Sequence, residues 1–296
     1  MTDSPPASSS PSLRSWLLLG MLGLVWGSSY ILIKKGLVVY APAQLACLRI
    51  SISALAFLPI FLARLSKVDW SKLKYLAVVG FAGSFFPAFF FAIAQTQLSS
   101  STTGVLSSLT PLFTLFLGIL YFKVPFSWIK IAGVLTGLAG AVSLILFGSE
   151  AGMGGHLGFG LLVILGCLMY SLSANTVKAA LQDMNALTLS AVAFFLIGPP
   201  ALIYLFTTDF VQILQQQEGA WLALGYIVLL ALFGTVFASF FFFRLVQITS
   251  AVFASTVSYL IPLVALMWGF VDGEPITLYH LIGMSLILGG VYISGR

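Results

Sequence analysis

Long apolar runs separated by short polar or turn-forming segments dominate this chain. A helix of about 20 apolar residues crosses the roughly 30 Å hydrocarbon core of a bilayer, and ten runs of about this length are bounded by Pro, Gly or charge. The pattern predicts ten membrane-spanning helices over residues 16–34, 42–63, 73–95, 101–121, 126–147, 157–178, 187–208, 220–244, 251–270 and 276–293. The connections between them are too short for a large soluble domain.

The composition supports this interpretation. Of 296 residues, 60% are hydrophobic and 7% are charged, whereas soluble domains carry about 25% charged residues. Much of the surface must therefore face lipid, where an unpaired charge is costly. Residues 1–13 are rich in Ser and Pro and are predicted to form a disordered tail. The first apolar run is too long for a cleaved signal peptide, so we expect an all-α integral membrane protein with an uncleaved first span.

Basic residues are distributed unequally between alternate connections. With the N-terminus inside, one side holds only Lys34 and Lys35, and the other holds Arg14, Arg64, Lys67, Lys72, Lys74, Lys123, Lys130, Lys178, Arg244 and Arg296. Because cytoplasmic loops are enriched in Lys and Arg, we expect a multi-pass inner-membrane protein with both termini in the cytoplasm. The net charge of +5 therefore indicates topology and does not suggest a nucleic-acid partner.

The two halves of the chain share short motifs. Residues 25–29 match residues 169–173 at an offset of 144, and residues 107–112 match residues 258–263. Because five spans per half is an odd number, the second copy must enter the membrane upside down. We therefore predict two inverted five-helix repeats, residues 14–149 and 150–296, which is the arrangement of carriers that work by alternating access.

Several short motifs together resemble those of one family. They are the Leu-Val-Trp-Gly-Ser-Ser run at residues 24–29, the Leu48-Arg49 pair, the prolines of the fourth and ninth spans, the Gly273-Glu274 pair, and the Gly283 to Gly290 spacing. Over nearly its whole length the sequence resembles EamA-type members of the drug/metabolite transporter superfamily. The resemblance implies an exporter of an amino acid or another metabolite. The first half departs from the pattern, with Val124-Pro125 where the second half has Glu274-Pro275, so a role of that Glu is not expected to be duplicated.

An aromatic pair and two prolines are candidates for a substrate pathway. Trp26 lies in mid-span and its repeat counterpart is Tyr170; such rings face a central cavity or pack between helices. Pro111 and Pro262 each remove a helical hydrogen bond and displace the carbonyl four residues earlier. Those carbonyls belong to Ser107 and Ser258. We predict that the two serines contact substrate and that the prolines act as gating hinges; the alternative is a structural kink whose hydroxyls bond back to the helix.

Two cations are further candidates for substrate binding. Arg49 lies seven residues into the second predicted span, and an intramembrane cation suggests a functional site. It either binds a carboxylate or phosphate of the substrate or extends outward and anchors the helix. Lys34, at the end of the first span, is the second candidate for substrate contact.

Groups that would support catalysis or coupling are sparse. No Asp or Glu falls in the middle of a predicted span, so transport is not expected to use a titrating carboxylate within the bilayer. Cys47, Cys167, His156 and His280 lack metal-ligand spacing, so no metal, cofactor or catalytic residue is expected. The sequence favours a secondary carrier for a small metabolite over an intramembrane enzyme or a sensor. A carrier for phosphorylated or nucleotide-linked sugars is the alternative within transport, and the few cations argue against it.

Overall fold

The computed structural model describes residues 12–122, 128–147 and 157–294, and the regular elements in these ranges are helical. They are α1 (Leu13–Leu37), α2 (Pro42–Arg64), α3 (Trp70–Ala94), α4 (Ser100–Tyr121), α5 (Trp128–Phe147), α6 (Leu157–Ala180), α7 (Ala186–Phe206), α8 (Ala220–Ile248), α9 (Ala251–Val271) and α10 (Leu278–Ser294), with a short helix, Phe210–Gln216, between α7 and α8. Eight of these, all except α5, α10 and the short helix, are long and apolar enough to cross a membrane. The all-α membrane fold is confirmed, and the count of ten spans stays a prediction.

The helix ends differ from the predicted spans by up to four residues. Helix α1 begins at Leu13, three residues earlier than expected, because the side chain of Ser12 accepts a hydrogen bond from the Ser15 amide and caps the first turn. Helix α8 continues beyond Arg244 to Ile248, since a cation marks the membrane interface without ending a helix. The predicted tail up to residue 11, the Val124-Pro125 pair and His156 lie outside the described residues.

Contacts between helices occur in matched pairs. Helix α1 packs against α8 and α9, and α6 packs against α3 and α4. Helices α2 and α7 pack together, as do α5 and α10. We compare the halves by letting α1 to α5 correspond in order to α6 to α10. Exchanging the halves then turns the contacts of α1 into the contacts of α6, and it leaves the α2–α7 and α5–α10 contacts unchanged. Two repeats related by a two-fold axis produce this pattern; the inversion and the repeat boundaries stay predictions.

Glycines allow α5 and α10 to approach closely. A Cβ atom at Gly290 would lie 2.4 Å from the carbonyl oxygen of Gly133 and 2.4 Å from the amide nitrogen of Gly137. A Cβ atom at Gly140 would lie 2.9 Å from the carbonyl oxygen of Gly283. Small residues let helix backbones meet in a membrane, and these glycines therefore act in helix packing.

Helices α4 and α9 are interrupted at equivalent places. A 3-10 turn at Ser107–Leu109 divides α4, and a 3-10 turn at Thr256–Tyr259 divides α9. In each helix a new α-helical segment begins next to the proline, Pro111 or Pro262. A proline fits the first turn of a helix, where its missing N–H is not needed. Each proline therefore marks the start of a second half-helix.

Helices α3 and α8 contain a different interruption, also at matched positions. The segments Phe81–Phe85 and Leu230–Phe237 are π-helical. In α3, Pro87 lies two residues after this segment and cannot donate to the preceding turn. Such π segments are often found at functional sites. The four interrupted helices all contribute to the cavity described next.

Candidate functional site

A cavity of about 80 Å³ lies between the two halves of the molecule. Seven helices line it: α1, α2, α3, α4, α6, α8 and α9. Its wall consists mainly of aromatic rings and hydroxyl groups, and Arg49 is the one charged side chain that the structure places on it within the described residues. The hydroxyl-bearing residues are Ser29, Tyr30, Ser107, Thr110, Tyr170, Ser173, Ser239, Ser255 and Ser258. An enclosure with an apolar wall and a few polar groups is typical of a small-molecule site.

The π segments bring backbone close to α1 and α6 in a crossed arrangement. A Cβ atom at Gly83 would lie 2.5 Å from the Oγ atom of Ser173, and one at Gly234 would lie 2.6 Å from that of Ser29. Gly83 and Gly234 are 151 residues apart, and Ser29 and Ser173 are 144 residues apart. These separations equal the two offsets between the repeated motifs, so each contact is the counterpart of the other. A side chain at either glycine would crowd the serine hydroxyl, so α8 lies close to α1 and α3 lies close to α6 at cavity depth.

Arg49 faces the cavity from α2. Its Nε atom donates a hydrogen bond to Thr235 Oγ1 at 2.7 Å, and the Tyr170 hydroxyl lies close enough to the guanidinium to interact with it. Within the described residues Arg49 forms no ion pair with a carboxylate. A guanidinium has five N–H donors, so most of its donors remain available to a ligand.

The aromatic pair also lies at the cavity. Trp26 Nε1 donates to the carbonyl of Gly234 at 2.9 Å, and its ring centroid is 5.0 Å from that of Phe242. Tyr170 packs with its ring centroid 5.7 Å from that of Phe91. Trp26 and Tyr170 line the cavity from opposite halves, so the cavity location is observed while substrate contact stays a prediction.

Both predicted serines line the cavity, and the prolines lie just behind it. Ser107 and Ser258 are 3% and 4% exposed. The hydroxyl of Ser107 bonds back to the carbonyl of Gly104 at 2.6 Å, while the carbonyl of Ser107 accepts from Thr110 Oγ1 at 2.8 Å. The carbonyl that Pro111 displaces is thus satisfied within α4, in agreement with the back-bonding alternative, and the same segment still forms part of the cavity wall.

Lys34 lies apart from the cavity wall, in an ion-pair cluster. Its Nζ atom is 2.6 Å from Asp272 Oδ2 and 2.9 Å from Glu274 Oε1, and Lys35 also pairs with Asp272. The cluster joins the end of α1 to the connection between α9 and α10. Lys34 therefore has carboxylate partners in this structure, unlike Arg49.

Glu274 links this cluster to the start of α4. Its two carboxylate oxygens accept hydrogen bonds from the amide and the hydroxyl of Ser100 and of Ser101, at 2.6 to 3.1 Å. Burial opposes ionisation of Glu274, but Lys34 and the serine donors outweigh it and lower the pKa of the carboxyl from 4.5 to about 2. The Lys34 and Lys35 ammonium groups also lower the pKa of Asp272. The position of Glu274 along the chain does not indicate this network, because its partners are more than 170 residues away.

Other cavity residues were also missed. Ser29, Tyr30 and Ile33 follow Trp26 at spacings of three, four and seven residues, which places them on the same helical face, so that periodicity could have identified them. Thr235, which accepts the hydrogen bond from Arg49 but does not line the cavity, carried no such signal, because its orientation depends on the π segment of α8.

The comparisons with known proteins agree with this architecture. The model of the EamA-like transporter family matches residues 14–146 and 159–296. The chain belongs to this family. An uncharacterized transporter of Archaeoglobus fulgidus is 26% identical over 96% of this chain and 99% of its own length. The uncharacterized transporter YdfC of Bacillus subtilis is 30% identical over 92% of this chain and 87% of its own.

The same family relationship extends to other relatives. The uncharacterized inner membrane transporter YedA of Escherichia coli K12 is 24% identical over 92% of this chain and 87% of its own length. A crystal structure of a protein at 18% identity superimposes with a TM-score of 0.63 over 96% of each chain, which shows the fold alone. With a membrane-spanning helical fold and transporter relatives, this EamA-family protein is a multi-pass membrane transporter.

Proposed function

We propose that this transporter is a secondary carrier that exports an amino acid or another small metabolite bearing a carboxylate. The observation that supports the proposal is Arg49, a cation in a cavity between the two halves that pairs with no carboxylate among the described residues. A partly buried charge is stabilised by a partner of opposite charge, and a substrate carboxylate would supply one. Trp26, Tyr170, Ser107 and Ser258 would contact the rest of the molecule.

Cavity size and charge favour a small substrate over a nucleotide-linked sugar. The cavity is about 80 Å³, and one water needs about 10–15 Å³ by this measure. The space therefore accommodates a molecule comparable to several waters. Phosphorylated sugars carry up to two negative charges per phosphate, and the cavity wall presents a single guanidinium in the described part of the chain.

A paired-ligand experiment tests the proposal. Purified protein in liposomes would be screened for uptake of amino acids, other carboxylates and sugar phosphates, and each active amino acid would be compared with its carboxamide. We expect the carboxylate to bind roughly tenfold or more tightly than the amide, as for a lost charged hydrogen bond. In Arg49→Gln this difference should disappear, and Arg49→Lys should restore part of it.

The outcome separates the proposal from its rivals. Transport restricted to sugar phosphates would favour the alternative substrate class. An equal carboxylate preference in wild type and in Arg49→Gln would show that Arg49 does not bind the anion. Transport faster from the cytoplasmic than from the opposite face, measured in inverted and right-side-out vesicles, is expected of an exporter.

The prolines of α4 and α9 would act as hinges during alternating access. Each half-helix begins beside Pro111 or Pro262, and the residues just before them, Thr110 and Ile261, line the cavity. Pro→Ala restores a potential hydrogen bond, so each variant should stay folded while transport falls. Since the halves are inverted in this proposal, the two variants should trap opposite-facing states, measurable by labelling of cavity cysteines. Normal transport by folded protein carrying both changes would contradict the hinge role.

The transporter would lie in the inner membrane with both termini in the cytoplasm. The biased distribution of Lys and Arg supports this orientation, and a relative is named an inner membrane transporter. Single cysteines in the connections after α1, α3, α7 and α9 should react with an impermeant reagent from outside, in a variant lacking Cys47 and Cys167. Labelling of a cysteine beside Lys67 from outside would contradict the orientation.

A further inference from the structure

A second cavity, of about 180 Å³, lies at the other end of the helices from the Lys34 cluster. It is formed by the end of α2, the connection from α2 to α3, and the connection from α6 to α7. Helix α2 spans 23 residues, so the two ends are roughly 34 Å apart at 1.5 Å per residue. The charged lining residues are three cations, Arg64, Lys67 and Lys72, and two carboxylates, Asp69 and Asp183.

Internal contacts neutralise only part of this charge. Lys72 pairs with Asp183 at 2.6 Å, and Asp69 accepts hydrogen bonds from the amide and hydroxyl of Ser71 at 3.1 and 2.6 Å. Arg64 donates to the neutral hydroxyl of Thr188 at 3.2 Å. Within the described part of the chain neither Arg64 nor Lys67 forms an ion pair, so the lining has an excess of one positive charge.

The connection that carries Lys67 is held in place. It contains the 3-10 turn Leu65–Lys67, and α3 begins with a second one, Trp70–Lys72; Val68 between the two turns is buried at 8% exposure. The Lys72 ion pair fixes its far end to the connection between α6 and α7. The cations therefore occupy a formed cavity and are not spread along a loose loop.

Large exposed apolar side chains lie within two residues of the lining residues along the chain. Leu62, Leu65, Trp70 and Leu73 are 61%, 44%, 44% and 42% exposed. Tryptophan is enriched where the bilayer meets water, and leucines at this exposure suit contact with acyl chains. The cavity lies at the ends of membrane-spanning helices, where a lipid headgroup would lie, and these neighbouring apolar side chains would contact its tails.

We propose that this cavity binds the headgroup of an anionic phospholipid, with Arg64 and Lys67 contacting its phosphate. The single excess positive charge of the lining matches the single negative charge of a phosphatidylglycerol phosphodiester. Basic cavities between helices on the cytoplasmic side, where the proposed orientation places this one, are suited to such headgroups. The exposed leucines and Trp70 favour a lipid over free phosphate, because free phosphate would make no use of them.

Native mass spectrometry of the purified full-length protein tests this site. Phosphatidylglycerol and phosphatidylcholine would be titrated separately in neutral detergent. Wild type should retain phosphatidylglycerol in preference to phosphatidylcholine, and Arg64→Gln with Lys67→Gln should lower phosphatidylglycerol affinity roughly tenfold or more. The matched control is Arg14→Gln with Lys74→Gln, which removes two cations of the same predicted side that do not line the cavity, and it should change affinity little.

The outcomes are distinct. If both double variants lost the same affinity for phosphatidylglycerol, the effect would come from general surface charge and the proposed site would be wrong. Equal retention of phosphatidylglycerol and phosphatidylcholine by wild type would also contradict the site. If millimolar inorganic phosphate displaced phosphatidylglycerol and protected the wild type from thermal unfolding without lipid, the site would be one for free anions. Should the double variant fail to fold, exposed Lys67 allows Lys67→Gln and Lys67→Arg instead; only the first should weaken lipid retention.

Discussion

Arg49 and Lys34 are both cations on helices of the first half, but their surroundings are opposite. Arg49 faces the central cavity, and its guanidinium is bonded to the neutral Thr235 hydroxyl. Lys34, at the end of α1, lies between two carboxylates, Asp272 and Glu274. Sequence position alone made both of them candidates for substrate contact.

Electrostatic partners, and not depth along a helix, decide what a membrane cation can do. A cation with a carboxylate within the protein has most of its electrostatic interaction satisfied. A cation without one retains that capacity for a ligand. We therefore assign Arg49 to the substrate in the proposed function, and we expect Lys34 to stabilise the junction between α1, α4 and the connection from α9 to α10.

The largest expected effect is on transport by Arg49→Gln. If Arg49 binds the substrate, transport should fall by an order of magnitude or more, as when one partner of a charged hydrogen bond is lost. Thermal stability should change little or rise, because a partly buried cation without a carboxylate partner is removed. Transport in liposomes and the melting temperature would be measured on the same preparation. If stability fell strongly and the remaining transport were proportional to the amount of folded protein, the role of Arg49 would be structural.

Next in size is the loss of stability in Glu274→Gln. The amide nitrogen of Gln cannot accept the bonds that Ser100 and Ser101 donate, so we expect a loss of about 2–3 kcal/mol in the free energy of unfolding. Lys34→Gln should cost less, about 1 kcal/mol, because the Lys34 side chain is 37% exposed and Glu274 keeps its serine donors. Chemical unfolding in a fixed detergent measures both changes.

The control is Glu218→Gln, which removes an exposed carboxylate from the connection before α8 and should have little effect on stability. Lys34→Gln should also retain the affinity for substrate. A loss of affinity in that variant with normal stability would restore Lys34 as a substrate ligand and remove the contrast with Arg49.

Acid should weaken the cluster gradually. The pKa of Glu274 is lowered from 4.5 to about 2, so its contribution to stability is complete above pH 4.5 and is lost as the pH falls toward 2. The shift corresponds to about 3 kcal/mol at most. The melting temperature in nanodiscs should fall between pH 5 and 3, and less so in Glu274→Gln. Asp183→Asn serves as a control, because Lys72 also lowers the pKa of Asp183. An identical dependence of the melting temperature on pH in wild type and Glu274→Gln would contradict the role of Glu274.

The amino-acid sequence determined the elements of this protein. Apolar runs and sparse charge predicted its helices to within four residues, and the short repeated motifs indicated two related halves. Local chemistry also located the interruptions of α4 and α9, because proline cannot donate a backbone hydrogen bond wherever it occurs. These features depend on nearest neighbours along the chain, which the sequence records directly.

Only the tertiary structure decided which of the candidate residues lie together. It placed Trp26, Arg49, Ser107, Tyr170 and Ser258 on one cavity wall, and it placed Lys34 among carboxylates more than two hundred residues away in the chain. It also revealed the two π segments and the burial of Glu274. The charge and burial of such groups depend on contacts between distant segments, and helical periodicity along a single segment carries no information about those contacts.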